Sequence, residues 1–116
     1  MIRVLITGAG RGIGAACALA YAGSGARLAL ADLCAPEATA QQARAAGAAD
    51  VLSCGCDVAD SSAVTGMVRQ VEAAFGGLDI LIHCAGIIHE APLLETPVAD
   101  FDRVIAVNLR GSFLVG

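Results

Sequence analysis

The sequence predicts an α/β fold, namely the amino-terminal half of a doubly wound parallel sheet in which four strands alternate with helices. Three observations predict it. Four short apolar runs are continuous rather than alternating, as strands covered on both faces must be. Segments of helical spacing or high alanine content separate them. The resulting β-α order forces right-handed crossovers, which place helices on both faces of the sheet.

The first strand is expected over Ile2 to Thr7. A glycine-rich turn follows, and then a helix that Gly23 and Gly25 break. The second strand is Arg27 to Ala31, and the alanine-rich stretch from Ala38 to Ala49 reads as a weak helix. Val51 to Cys54 is the third strand. Next, Val64, Met67, Val68, Val71 and Phe75 recur every three or four residues and make one apolar stripe. Asp60 or Ser61 caps that helix and Gly76-Gly77 ends it. Leu78 to Ile82 is the fourth strand. A last helix opens at Thr96-Pro97, with Thr as cap and Pro in the first turn, and Phe101, Val104, Ile105 and Asn108 share its apolar face.

A chain of 116 residues with 57% hydrophobic and 16% charged residues is long and apolar enough for one core, and too short for two domains. The apolar stretches are interrupted by Arg11, Arg27, Asp32, Asp50, Asp79 and His83, which argues against a membrane protein. The amino-terminal apolar block is too short for a signal peptide, so a cytoplasmic location is expected. A net charge of −4 argues against nucleic acid or an anionic membrane as partner. All seven basic residues are Arg. The five Cys show no paired metal spacing and are expected to be small buried hydrophobes in a reducing compartment, with no metal site.

Chemistry concentrates first in Thr7-Gly8-Ala9-Gly10-Arg11-Gly12-Ile13-Gly14, directly after the first strand. Glycines there permit a tight turn and close backbone approach to a pyrophosphate, which meets the N–H groups and positive dipole end of the helix. Asp32 stands at the end of the second strand, followed by Leu33. A carboxylate at that place accepts hydrogen bonds from ribose hydroxyls and repels a 2′-phosphate, which favours NAD over NADP. Arg11 is either a receiver for a 2′-phosphate or a solvated loop charge. Residues 1–116 thus read as a dinucleotide-binding Rossmann domain. A full sheet of that type has about six strands, and this chain stops in an apolar stretch from Ser112 to Gly116, so a domain truncated at its carboxyl end is expected.

This spacing resembles the short-chain dehydrogenases/reductases, whose phosphate loop is Thr-Gly, three residues, then Gly-x-Gly. Residues 7–14 match it fully, so Gly8, Arg11, Gly12, Ile13 and Gly14 are coenzyme-binding candidates alongside Asp32 and Leu33. Asp57-Val58 resembles the family's adenine-contacting Asp-Val; otherwise Asp57 only begins the next helix cap. His83-Cys84-Ala85-Gly86 stands where the family usually has Asn-Asn-Ala-Gly, so Cys84, Ala85 and Gly86 would border the nicotinamide-side ribose. His83 reads as structural rather than as a catalytic base, and His89 as an exposed loop residue. Asn108, in Val107-Asn108-Leu109-Arg110-Gly111, resembles the family Asn that helps hold a water in the proton relay, and is the one catalytic candidate.

The family's catalytic Tyr-x-x-x-Lys is absent. There is no Lys, and the only Tyr, Tyr21, has Gly25 four residues later. The resemblance implies an NAD(P)-dependent oxidoreductase that moves a hydride between nicotinamide and a small-molecule alcohol or ketone. It also implies homo-oligomerisation at full length, while the 116 residues alone would be inactive. A non-catalytic nucleotide-binding module is the alternative. A methyltransferase, which shares the glycine turn and the acid, fits the Ala85–Gly111 segment less well.

Overall fold

The computed structural model describes residues 1–116. Strands β1 (Arg3–Thr7), β2 (Arg27–Asp32), β3 (Asp50–Gly55) and β4 (Ile80–His83) form one parallel sheet in the order β3-β2-β1-β4. Helices α1 (Gly12–Gly23), α2 (Glu37–Ala46) and α3 (Ser61–Phe75) connect them. Beyond β4, a single turn at Leu93–Glu95 precedes α4 (Val98–Val104), a π-helical stretch (Ile105–Arg110) and α5 (Gly111–Val115). The expected α/β half-sheet is therefore present.

Alternation along the strands divides the core. Val4, Ile6, Leu28 and Leu30 face α1 and α2, where Ala18, Ala22, Ala40 and Ala43 meet them. Small residues let those helices lie close to the sheet. Leu5, Ala29, Ala31 and Cys54 face the opposite way, against Val64, Met67, Val71 and Phe75 of α3. Each fully buried large side chain, such as Ile6 or Leu30, contributes roughly 1.5–3 kcal/mol. Below the sheet, Arg3 grips Asp79 through two side-chain bonds of 3.0 and 2.9 Å. That guanidinium holds the Asp79 carboxyl at a pKa of about 2.

Several sequence expectations need correction. Val68 is 41% exposed and lies off the buried α3 stripe. Thr96 does not cap the last helix, because its hydroxyl donates to the Pro92 carbonyl at 3.2 Å and Pro97 stands at the N-cap. Phe101 and Ile105 are exposed, whereas Val107 and Gly111 are the buried positions of the last helical segment. Gly111 packs against Val58 of the loop after β3, so that face of the segment, rather than the Phe101–Ile105 face, meets the body of the protein. Cys34 is exposed, and only Cys54 and Cys56 are fully buried.

One topological feature positions the site. The chain leaves β1 toward β2 and β3 on one side, while β4 pairs on the other. Connections therefore diverge above the carboxyl ends of β1 and β4, and the crevice between them is where open α/β sheets bind ligands.

Candidate coenzyme-binding cleft

A cleft of about 500 Å³ opens at that point. The loop after β1 supplies Gly8, Arg11, Gly12, Ile13 and Gly14 to its walls. Asp32 and Leu33 come from the end of β2, and Asp57 and Val58 from the loop after β3. Cys84, Ala85 and Gly86 come from the segment after β4. The structure thus brings together every coenzyme-binding candidate read from the sequence.

The glycine loop is locked by close approach. Gly8 has φ +65, and a Cβ there would stand 2.6 Å from the Cys84 carbonyl carbon. A Cβ on Gly14 would stand 2.8 Å from the Gly8 carbonyl carbon. The loop therefore folds against both β4 and its own helix, which no larger residue permits. At its end α1 is uncapped: Arg11 occupies the N-cap without a side-chain bond, and the first turn holds no acid. By contrast, Asp60 caps α3 by accepting from Ser62 and Ala63 at 3.0 and 3.4 Å. The first amides of α1 are left to an external acceptor.

Asp32 is tied on both oxygens. Oδ2 accepts the Gly10 N–H and Oδ1 the Leu33 N–H, each at 2.8 Å. A carboxylate has about four acceptor positions, so two remain. The Gly10 bond joins the second strand to the phosphate loop and was not legible from spacing. Asp57 takes the Ala59 N–H at 3.0 Å, so it shapes the turn while Asp60 does the capping. Burial pushes the neighbouring Cys56 thiol up, helped by the charges of Asp57 and Asp60.

Thr7 and His83 are register partners on β1 and β4. The Thr7 hydroxyl accepts the Ala85 N–H at 3.3 Å and lies 2.6 Å from His83 Nδ1. The hydroxyl and Nδ1 share a hydrogen bond that ties β1 to β4 and leaves Nε2 on the far side of the ring. That Nε2 is buried without a partner, and burial holds the His83 pKa below its ordinary value. His83 bridges β4 to β1 through Thr7 and also lines the cleft. His89 does not line the cleft and lies 3.9 Å from Asp100.

Asn108 clasps the segment after β4. Its Oδ1 accepts the Ile87 N–H at 2.8 Å and its Nδ2 donates to the Ile87 carbonyl at 2.9 Å. The Asn108 carbonyl accepts the Ser112 hydroxyl at 2.6 Å. Beyond the candidates the cleft is lined by Thr7, Ala31, Cys56, His83, Ile87, Arg103 and Val107, and of these Arg103 and Val107, on the last helical segment, were not read as site residues. Their spacing of four, continued by Gly111, was the available signal.

The family described as short chain dehydrogenase matches residues 3–116. D-threitol dehydrogenase of Mycolicibacterium smegmatis is 45% identical over 112 residues, covering 96% of this chain and 43% of that protein. Galactitol 2-dehydrogenase of Agrobacterium fabrum is 38% identical over 92% of this chain and 41% of its own length. Among solved structures, a dehydrogenase/reductase from Sinorhizobium meliloti superposes with a TM-score of 0.92 at 42% identity, over 98% of this chain and 46% of that one. The chain spans less than half the length of these relatives.

Proposed function

The chain belongs to the short-chain dehydrogenase family, an oxidoreductase family, and on that premise we propose that it forms the coenzyme-binding part of an NAD(P)-dependent enzyme. The reaction proposed is hydride transfer between nicotinamide and a small-molecule alcohol or ketone. One observation carries the reading: the uncapped first turn of α1 opens onto a cleft whose wall includes the Asp32 carboxylate.

The amides of Gly12, Ile13 and Gly14 would hold the pyrophosphate, with the helix dipole in support. Asp32 would use its remaining acceptor positions on the adenosine ribose hydroxyls. Its charge disfavours a 2′-phosphate, so NAD is proposed over NADP. Arg11, exposed and unpaired at the N-cap, would flank the phosphates. Asp57 and Val58 would border the adenine, and Cys84, Ala85 and Gly86 the second ribose. The bound nicotinamide supplies or accepts the hydride. Asn108 positions the Gly86–Ile87 backbone beside it through the clasp.

Proton transfer to the substrate oxygen has no donor of the Tyr-Lys kind here, since Lys is absent and Tyr21 lies in α1. The 116 residues alone are therefore proposed to bind coenzyme without turnover. The exposed face of Phe101, Leu109 and Phe113 is proposed to meet a second copy. Calorimetric titration with NAD and with NADP tests the central reading. Saturable NAD binding with weaker NADP binding is expected; no binding of either up to millimolar concentration rejects it.

A further inference from the structure

We infer that Arg103 is a further coenzyme-binding residue whose guanidinium stacks on the adenine, an inference that rests on the coenzyme reading above. Arg103 lines the cleft from the last turn of α4 and is exposed. Arg103 takes part in neither the Arg3–Asp79 ion pair nor the His89–Asp100 contact. A cleft-lining Arg whose guanidinium has no partner in the protein is available to a ligand.

Its place in the helix says which part of the ligand it meets. Arg103, Val107 and Gly111 recur every four residues and share one stripe. Gly111 abuts the loop after β3: a Cβ there would come within 2.8 Å of Val58 Cγ2. Val107 is buried and lines the cleft. Arg103, one turn earlier on the stripe, lines the same cleft as Asp57 and Val58. It forms no ion pair with Asp57. Apolar walls from Val58 and Val107 with a cation at the rim suit a flat aromatic base rather than a phosphate, which the α1 amides already serve. The planar, weakly hydrated guanidinium stacks on such a base as an ammonium does not.

The test compares the purified protein with Arg103→Ala and Arg103→Lys, measuring affinities for NAD, ADP-ribose and nicotinamide mononucleotide by competition. Arg103→Ala should weaken NAD and ADP-ribose roughly three- to thirtyfold and leave the mononucleotide, which lacks adenine, unchanged. Arg103→Lys should recover only part of the loss. Unchanged NAD affinity in Arg103→Ala overturns the inference, as does an equal loss for the mononucleotide. Full recovery by Arg103→Lys overturns it in favour of a plain charge contact. If the unsubstituted protein binds neither NAD nor NADP, the coenzyme reading itself falls, before any variant is compared.

Discussion

Replacing Asp32 by Ala removes two different things, and the structure separates them. Its oxygens hold the Gly10 and Leu33 amides at 2.8 Å, so the substitution loosens the phosphate loop for any dinucleotide. It also deletes the acceptor positions left for the ribose hydroxyls and the charge opposed to a 2′-phosphate. The first loss is common to both coenzymes and cancels in their ratio. The second is specific: one charged hydrogen bond is worth about 1.5–3 kcal/mol, or roughly 10- to 150-fold in affinity. NAD affinity should therefore fall by at least one order of magnitude more than NADP affinity, measured by calorimetry on both coenzymes. Asp32→Asn should lie between, since an amide oxygen still accepts one of the tied N–H groups. Equal weakening of NAD and NADP would show that Asp32 only shapes the loop, and the preference for NAD would be refuted.

Acid should act through His83. Burial lowers its folded-state pKa, so the unfolded chain binds the proton more readily. Stability is then full above pH 6.5 and falls as pH drops from 6.5 toward the lowered folded value. His83→Asn should flatten that fall in thermal unfolding followed from pH 8 to 5; parallel curves for both proteins would refute it. The outer edge of β4 pairs with no strand, and Leu81 beside it is 36% exposed. The 116-residue chain should self-associate in sedimentation, and a monodisperse monomer with strong exchange protection across residues 79–84 would contradict this. Turnover by the same chain should be absent across a panel of secondary alcohols, because removing the hydroxyl proton as the hydride leaves needs a positioned base worth ~10²–10⁴-fold. NADH formation abolished by Asn108→Ala would show that another base serves.

The strands were legible because parallel strands buried on both faces need unbroken apolar runs, and the four runs fall within two residues of the observed bounds. Helix α3 was legible at both ends because Asp60 and Gly76 solve local problems, a free N–H and a left-handed residue. Local chemistry was misleading at Thr96, whose hydroxyl found the Pro92 carbonyl instead of the helix. The phosphate loop could be read from its glycines, but the Asp32–Gly10 bond depends on two loops meeting across 22 residues. Arg103 was missed for a related reason. An exposed Arg on a helix looks solvated until the neighbouring Val107–Gly111 stripe shows which way it faces.

The Asn108 clasp makes one side chain behave as a fragment of neighbouring strand. By offering an acceptor and a donor side by side, it reads Ile87 as a strand partner would and continues the ladder where β4 has ended. Only a primary amide of this length presents that pair. Deamidation of Asn108 would therefore be a lesion with its own pH signature. The ionised aspartate sets oxygen against the Ile87 carbonyl and opens the clasp, whereas the protonated acid regains a donor and closes it again. Ageing of the protein by a single dalton at this position would thus be silent in acid and disruptive at neutrality.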